Sequence, residues 1–251
     1  MEDRELYFDC DGCRVHLMLE FPAAAGSAVP VLILIPGLTG HIEERHILAV
    51  KDAALDSGYA VLRPELYGHG KSDGRFHDHD ILIWMHQAMR IIDFADSLPC
   101  TEYIVLAGHS QGGLTAVLAG GMMQDRLKAL MPLSPAVNIW ENAKKGRLFE
   151  NQFDPENLPE TLPCGTGLSG NYLRTAAMLP VEEAIKRFRK PVCIIHGTAD
   201  VTVPYKYAEW LDQKYADSEL VSVEGDDHCF SVHLDLVTET VKHFLRRCRQ
   251  L

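Results

Sequence analysis

Gly108-His109-Ser110-Gln111-Gly112 is the stretch that decides how the rest of this chain is interpreted. It matches the pattern G-x-S-x-G, and it stands between a β-favouring run that ends at Ala107 and a helical pattern that begins at Gln111. A serine hydroxyl is a weak nucleophile, so it must be held on a sharp turn where a base can reach it, and glycines on both sides allow that turn. The pentapeptide therefore predicts a nucleophilic serine, Ser110, between a strand and a helix.

Strand-like and helix-like patterns alternate on both sides of this pentapeptide. Helices are predicted at 43–57, around 81–95, and from 111 onward, and strands at 31–35, 60–63, 103–107, 129–133, 192–196 and 220–223. Such alternation predicts an α/β fold, in which a mostly parallel central sheet is flanked by helices and joined by right-handed crossovers. The 251 residues are near the upper size of one hydrophobic core, so residues 1–251 are expected to form a single domain.

The alternation fails between Ser134 and about Pro180, where proline and glycine become frequent. This stretch still contains large aromatic side chains that need burial: Trp140, Phe149, Phe153 and Tyr172. We therefore expect residues 135–180 to be a small lid insertion within the domain, packed over the edge of the sheet.

An acid and a histidine follow Ser110 in the chain order that a strand-turn-helix nucleophile predicts. Asp200 comes shortly after the fifth predicted strand, and His228 comes shortly after the sixth. The carboxyl ends of parallel strands share one edge of a sheet, so the three side chains are expected together. His228 would take the serine proton and return it to the leaving group, and Asp200 would fix the imidazole tautomer. His233 is the alternative base, and Glu141 is the alternative acid.

The negative charge that develops in the transition state needs hydrogen-bond donors. With this type of turn, one donor is the backbone N–H after the nucleophile, here that of Gln111, and the other comes from the first long loop. That loop is Pro36-Gly37-Leu38-Thr39-Gly40, which directly follows a buried strand. Leu38 is the predicted second donor, although Pro-Gly is also an ordinary turn dipeptide.

The composition and charge of the chain exclude several classes of protein. With 24 basic and 35 acidic residues, the formal charge of −11 opposes binding to nucleic acid or to an anionic membrane surface. The longest aliphatic run, residues 29–35, is far shorter than the ~20 residues that span a bilayer. The acidic start, residues 1–5, is unlike a signal peptide, and seven cysteines, an odd number, indicate reduced thiols. A cytoplasmic location is expected.

Two short clusters have some features of metal sites. Cys10-Asp11-Gly12-Cys13 has the spacing of a metal or thioredoxin-like pair, but Asp-Gly is also a preferred hairpin turn, and no second pair follows. His77-Asp78-His79-Asp80 lacks a ligand spacing such as H-x-x-x-H and fits a polar loop in which Asp78 or Asp80 caps the next helix. Cys229 is next to the predicted base His228, but it is not on a glycine-flanked turn like that of Ser110, so it is not predicted to be a nucleophile. We predict a hairpin and a helix cap, and neither a metal nor a cofactor.

Several segments together resemble bacterial cinnamoyl (feruloyl) esterases of the α/β-hydrolase superfamily. They are GLTGHIEERH at 37–46, YGHGKSDG at 67–74, GHSQGG at 108–113 and GDDHC at 225–229. Within the insertion, FDPENLP at 153–159 and GNYLR at 170–174 also look like the small lid of that family. The resemblance thus covers nearly the whole chain.

The resemblance implies hydrolysis of esters that join hydroxycinnamic acids, such as ferulate, caffeate and p-coumarate, to sugars or to quinic acid, as in chlorogenic acid. It implies Ser110, Asp200 and His228 as the catalytic triad, with an acyl-enzyme intermediate and no cofactor. A small aromatic ester is the expected binding partner, and a homodimer is an alternative that the sequence leaves undecided.

Two positions depart from the pattern of that family. Pro36 stands where members often have histidine before the glycine. In some members a tyrosine and an acidic lid residue hold the phenolic hydroxyl of the substrate. Tyr172 matches the tyrosine, whereas the position of the acid falls near Asn142, with Glu141 beside it. These three residues are the predicted substrate-binding residues.

The same triad would serve other reactions. A general short-chain carboxylesterase, a monoacylglycerol lipase or a thioesterase would differ only in the acyl pocket, and a proline-rich insertion is poorly suited to the long apolar lining that a lipid needs. A binding protein without turnover is the alternative of another class, and a complete set of three catalytic side chains argues against it.

Overall fold

The computed structural model describes residues 2–24, 26 and 28–251. Within these ranges the chain forms twelve strands and eight α-helices. The strands are β1 (Arg4–Cys10), β2 (Cys13–Glu20), β3 (Val29–Ile35), β4 (Ala60–Glu65), β5 (Thr101–His109), β6 (Leu127–Leu133), β7 (Arg147–Leu148), β8 (Asn151–Gln152), β9 (Thr161–Leu162), β10 (Leu168–Ser169), β11 (Val192–Gly197) and β12 (Ser218–Val223). The helices are α1 (Arg45–Asp56), α2 (Ile81–Ser97), α3 (Gln111–Met122), α4 (Asn138–Lys144), α5 (Asn171–Ala177), α6 (Val181–Arg187), α7 (Lys206–Lys214) and α8 (Leu234–Cys248).

Eight strands form one mixed sheet in the order β1-β2-β4-β3-β5-β6-β11-β12. The pairs β1–β2 and β2–β4 are antiparallel, and every later pair across the sheet, from β4–β3 to β11–β12, is parallel. Strand β3 is buried along its whole length, as its continuous apolar sequence predicts for a strand covered on both faces. The α/β fold with a mostly parallel sheet, predicted from the sequence, is confirmed.

A separate hydrophobic core covers each face of the sheet. On one face, α1 and α8 contribute buried side chains such as Val50 and Phe244. On the other face, α2 and α3 contribute Trp84 and Leu114, and the residues between β6 and α6 extend this core. In such a sheet, with both faces covered, ligands bind at the edge where the parallel strands end.

The first two strands form the hairpin that the sequence predicts. Cys10 pairs with Cys13, and the two-residue turn between them has positive φ angles of 53° at Asp11 and 84° at Gly12. These angles are those of the tight turn that Asp-Gly favours. Each of the seven cysteines is free.

Strand β4 is longer than predicted, because Pro64 does not end it. The strand pairs with β2 as far as Glu65, whereas its pairing with β3 ends at Leu62. At Pro64 the strand is therefore paired on one side only, which is where a residue without an N–H group is tolerated. Helix α1 begins two residues later than predicted, because Glu44 has an extended backbone.

Residues 134–180 leave the main sheet between β6 and α6. They contain α4, α5 and two small antiparallel ladders, β7–β8 and β9–β10. Tyr172 is fully buried, and Trp140 and Phe153 are half-buried. The expectation of burial is wrong for Phe149, which is 50% exposed because it lines an open cavity. Among the described residues, no helix combines the length and the apolar character needed to cross a membrane.

Candidate active site

Ser110 lies on the turn between β5 and α3, at the edge where the parallel strands end. Its backbone angles, φ 55° and ψ −119°, are in a region that residues other than glycine rarely adopt. Three backbone hydrogen bonds hold the turn. The Ser110 N–H donates to the carbonyl of Leu133 at 3.0 Å, and the Ser110 carbonyl accepts from Leu114 and Ala136 at 3.0 and 2.9 Å. The surrounding structure thus fixes the strained serine.

Both glycines of the G-x-S-x-G pattern are required by close backbone contacts. A Cβ atom at Gly108 would lie 2.2 Å from the carbonyl oxygen of Gly112. One at Gly112 would lie 2.2 Å from the carbonyl oxygen of Ile35, at the end of β3. Any larger residue at either position would push α3 away from the sheet and move Ser110 with it.

Asp200 and His228 are brought together at the same edge of the sheet. His228 Nδ1 donates to Asp200 Oδ2 across 2.6 Å. The Asp200 side chain is inaccessible, whereas 16% of the His228 side chain is exposed. Since the proton lies on Nδ1, the neutral ring keeps a free lone pair on Nε2. Ser110 and His228 both line one cavity.

The Asp200 carboxylate has a full set of hydrogen-bond donors. Its Oδ1 accepts from the backbone N–H groups of Thr202 and Val203, each at 2.8 Å, and its Oδ2 is 3.1 Å from His196 Nε2. Burial raises the pKa of Asp200, but the contacts with the His196 and His228 rings outweigh it, and the pKa lies below its ordinary value. His196 Nε2 itself donates to the Val203 carbonyl at 2.8 Å. The carboxylate is therefore ionised at neutral pH. His196 was not predicted, because within β11 it reads as an ordinary strand residue.

The alternative acid and base have other contacts. Glu141 lies in α4, where its Oε2 accepts from the Tyr207 hydroxyl at 3.2 Å. His233 precedes α8, and its backbone N–H donates to Asp226 at 2.7 Å. Among the described residues, Asp200 is the carboxylate that bonds to the ring of His228.

The loop after β3, residues 36–40, lies against the serine turn. A Cβ atom at Gly37 would be 3.1 Å from Ser110 Cβ. In the described part of the chain, the backbone N–H groups of Leu38 and Gln111 have no hydrogen-bond partner, and both residues line the cavity at Ser110. Two unpaired donors beside a nucleophile are what an oxyanion hole requires.

His69 holds this loop in place, a role that the sequence analysis missed. Its Nε2 accepts from the Thr39 N–H at 3.2 Å, and its Nδ1 lies 3.2 Å from the Tyr67 carbonyl, to which it donates. Burial lowers the pKa of His69 to about 4, so the ring stays neutral and Nε2 remains an acceptor. The glycines on both sides of His69 were the signal available in the sequence.

The cavity has a volume of about 710 Å³. Its wall includes apolar side chains from the insertion and from the loop after β11, namely Ile139, Leu148, Phe149 and Val203, and charged side chains, namely Glu44, Arg147, Glu150 and Lys206. Of the predicted substrate-binding residues, Asn142 and Tyr172 line the cavity. Glu141 is not among the lining residues, and its carboxylate is engaged by Tyr207.

Tyr172 connects the insertion to the serine turn. Its hydroxyl donates to Gln111 Oε1 at 2.7 Å, which ties α5 to the first residue of α3. Burial raises the pKa of Tyr172 far above its ordinary value, so the hydroxyl stays neutral. With its proton committed to Gln111, the hydroxyl can only accept a further hydrogen bond. Gln111 Nε2 is buried and has no partner among the described residues.

The polar loop before α2 has the predicted role. Asp80 Oδ1 accepts from the Ile83 N–H at 2.8 Å and thereby caps α2, which confirms the predicted helix cap. His79 Nδ1 donates to the Phe76 carbonyl at 2.7 Å, and burial lowers the pKa of His79 to about 4. The segment 77–80 thus forms the polar loop that caps α2.

Two buried histidines, His46 and His109, lie close to His228. His109 Nε2 donates to the His228 carbonyl at 2.8 Å, and the rings of His46 and His109 are 4.2 Å apart between centroids. Burial lowers the pKa of His46 to about 4 and that of His109 well below its ordinary value. Both rings are therefore neutral at neutral pH.

Known proteins resemble this chain in sequence and in structure. Residues 32–241 match the model of the Alpha/beta hydrolase family. The chain is 44% identical to Est1E from Butyrivibrio proteoclasticus in a structure with ferulic acid bound, with a TM-score of 0.96, over 98% of this chain and 100% of that one. Human Protein ABHD12B is 23% identical over an alignment of 238 residues that covers 90% of this chain and 63% of ABHD12B. The chain thus spans less than two thirds of that relative.

A more distant structure shares the fold. Alpha/beta hydrolase domain-containing protein 10 from mouse has a TM-score of 0.80 at 16% identity, over 97% of this chain and 99% of that one. The sheet order, the strained serine turn and the family match agree. The chain belongs to the alpha/beta hydrolase family.

Proposed function

We propose that the protein is a serine esterase that hydrolyses esters of hydroxycinnamic acids, such as ferulate, caffeate and p-coumarate, through an acyl-enzyme intermediate. The observation that carries the substrate class is the 44% identity, over 98% of the chain, to a protein that binds ferulic acid. The contacts around Ser110 support the reaction type.

Ser110 is the proposed nucleophile and His228 the proposed base. His228 Nε2 takes the Oγ proton while Oγ attacks the ester carbonyl carbon. The tetrahedral intermediate then loses the alcohol, to which His228 returns the proton, and the acyl group stays on Ser110. A water molecule, deprotonated by His228, releases the acid in the same two steps. Asp200 holds the Nδ1 proton throughout and stabilises the imidazolium.

Leu38 and Gln111 are the proposed oxyanion donors. Their unpaired N–H groups lie on two segments in close contact with Ser110. A carbonyl oxygen that gains negative charge binds more strongly to such fixed donors than the neutral ester does, so the donors lower the barrier. Through Thr39, His69 keeps the first of these segments in position.

The cavity suits a small aromatic ester. Its volume of about 710 Å³ lies within the range of roughly 300–1,000 Å³ found for small-molecule sites. Residues 135–180 supply much of its wall, and we propose that they act as the lid. Within the lid, Tyr172 and Asn142 are the proposed contacts to the phenolic ring, and the Tyr172 oxygen would accept a hydrogen bond from the phenol. Glu141 is the third proposed contact, and the phenol would have to replace the Tyr207 hydroxyl that donates to its carboxylate.

The proposed cellular location is the cytoplasm, where the seven free thiols would stay reduced. The acidic surface agrees with a small-molecule substrate rather than a nucleic acid. The proposed reaction needs no cofactor, since the nucleophile, base, acid and oxyanion donors all come from the chain.

Turnover measurements on the purified protein test the proposal. Methyl ferulate and chlorogenic acid should have higher kcat/KM than a short nitrophenyl ester, a monoacylglycerol or an acyl thioester. Ser110→Ala should lower kcat by ~10⁴- to 10⁶-fold without unfolding the protein, as losses in such triads do. Ser97→Ala, a substitution of an exposed serine at the far end of α2, is the matched control and should leave turnover intact. Preference for the monoacylglycerol or the thioester would refute the substrate class.

A further inference from the structure

Three side chains with metal-binding atoms cluster beside the ring of His228, and two of them, His109 and Cys229, line the cavity at Ser110. His46, His109 and Cys229, here called the His-His-Cys cluster, each place one potential ligand atom within 4.8 Å of the other two. The residues come from α1, the end of β5 and the loop after β12, so the fold alone brings them together. Cys229 is exposed, which gives an ion a path from solvent.

The tautomer of His109 leaves a lone pair free. Its Nε2 lies 2.8 Å from the carbonyl oxygen of His228, and a carbonyl can only accept, so Nε2 carries the proton. In the neutral ring, Nδ1 is then unprotonated. Nδ1 is buried and has no hydrogen-bond partner among the described residues. An imidazole with one nitrogen donating to a backbone carbonyl and the other free is the usual state of a histidine that binds a metal.

The second imidazole of the cluster also has an unused atom. His46 is 4% exposed, and its Nε2 is buried without a partner in the described part of the chain. Glu44 Oε2, at 3.9 Å from this nitrogen, is likewise buried and unpaired. Buried polar atoms normally have hydrogen-bond partners. The three unpaired atoms in this small region, His109 Nδ1, His46 Nε2 and Glu44 Oε2, therefore point to a ligand that would bond to them.

We propose that the His-His-Cys cluster binds a soft divalent cation such as Zn²⁺, with the Glu44 carboxylate or a water molecule as the fourth ligand, and that occupancy inhibits the esterase. Two imidazoles and a thiolate are a ligand set that zinc prefers. Burial raises the pKa of the Cys229 thiol to about 11, so the bond from its sulfur to the ion forms as the thiol releases its proton to solvent. Tetrahedral ligands at zinc bond lengths are about 3.3–3.8 Å apart, so donor atoms that all lie within 4.8 Å of one another need to move closer by no more than about 1–1.5 Å.

The inhibitory effect follows from contacts with the catalytic histidine. Cys229 follows His228 in the chain, His109 donates to the His228 carbonyl, and the rings of His109 and His228 are 4.7 Å apart between centroids. Drawing His109 and Cys229 toward one ion would shift the His228 ring relative to Ser110. The added positive charge would also disfavour the imidazolium that forms during turnover. This inhibition rests on the esterase activity proposed above, whereas binding of the ion does not.

Cobalt absorption tests the site independently of turnover. Co²⁺ added to the protein should give a thiolate charge-transfer band that saturates at one ion per chain, and excess Zn²⁺ should remove it. Cys229→Ser should abolish the band, and His46→Asn should weaken cobalt binding by at least about 10-fold. His86→Asn is the matched control, because His86 belongs to the second group of potential ligands in the described residues, with Cys10 and Asp11. A band that is absent, or that survives Cys229→Ser, would overturn the proposal.

Inhibition is measured as turnover of methyl ferulate against Zn²⁺ concentration, with each variant normalised to its own zinc-free rate. The wild-type protein should lose activity and regain it with EDTA. Cys229→Ser should need at least about 10-fold more zinc for the same fractional loss, and His86→Asn should behave as the wild type. Cobalt binding without inhibition by zinc would refute the link to His228. A protein without esterase activity would refute the proposed function, and the cobalt spectrum would still decide the ion site.

Discussion

The substitution Asp200→Asn tests the proposed acid with a minimal change, because an NH₂ group replaces one carboxylate oxygen and the size of the side chain stays the same. Asp200 Oδ1 accepts from the Thr202 and Val203 N–H groups at 2.8 Å, so an asparagine would keep its oxygen there. Its NH₂ group would then replace Oδ2, which is 2.6 Å from His228 Nδ1 and 3.1 Å from His196 Nε2. A donor would thus face the proton on His228 Nδ1.

The imidazole can escape this conflict only by moving its proton to Nε2. In that tautomer, Nε2 has no lone pair for the Ser110 proton, and the base is lost. The same change in other serine triads lowers kcat by ~10⁴-fold. At about 1.36 kcal/mol for each factor of ten, this is a loss of about 5.4 kcal/mol of transition-state stabilisation. Asp200 is not a lining residue of the cavity, so KM should stay close to that of the wild type.

The assay is the steady-state release of ferulic acid from methyl ferulate, with kcat and KM determined separately. Glu141→Gln is the matched control, since Glu141 is bonded to Tyr207 and not to His228, and it should retain most of its kcat. A decrease of less than about 10-fold for Asp200→Asn would refute the reasoning, because a base in the wrong tautomer cannot work that well. A larger loss for Glu141→Gln than for Asp200→Asn would move the acid to α4.

Three further predictions concern the lid, acid stability and metal removal. Tyr172→Phe should lower the free energy of unfolding by about 1–3 kcal/mol, because Gln111 loses its hydroxyl partner. In the same variant, kcat/KM should fall more for methyl ferulate than for methyl cinnamate, which has no phenolic hydroxyl. Equal losses on the two substrates would argue against a contact with the phenol. In urea denaturation, the free energy of unfolding should decrease as the pH falls from about 6.5 toward 4, by up to roughly 1.4 kcal/mol per pH unit for each buried neutral histidine. The reason is that these histidines bind protons in the unfolded chain but not in the folded one; they are His46, His69, His79 and His109. His79→Gln should make the free energy of unfolding depend less steeply on pH, and a free energy that does not change with pH would contradict the prediction. EDTA should not lower esterase activity, and a loss that zinc restores would reveal a catalytic metal.

The sequence by itself determined the class of fold and the position of the serine. Strand and helix periodicity are local properties, so the alternation of patterns predicted the mostly parallel sheet, and glycines spaced around Ser110 predicted the turn. The order of serine, acid and histidine then placed the other two side chains at strand ends. Element bounds were less well predicted, as at Pro64 in β4, because pairing with a neighbouring strand decides where a strand ends.

Only the tertiary structure decided which side chains touch. The bond from Tyr172 to Gln111 joins residues 61 positions apart, that from Thr39 to His69 joins residues 30 apart, and that from His109 to His228 spans 119. No local pattern encodes such contacts. They arise because helices pack on both faces of the sheet and fix the positions of the loops at its carboxyl edge. Loops from remote parts of the chain then lie within hydrogen-bonding distance of one another.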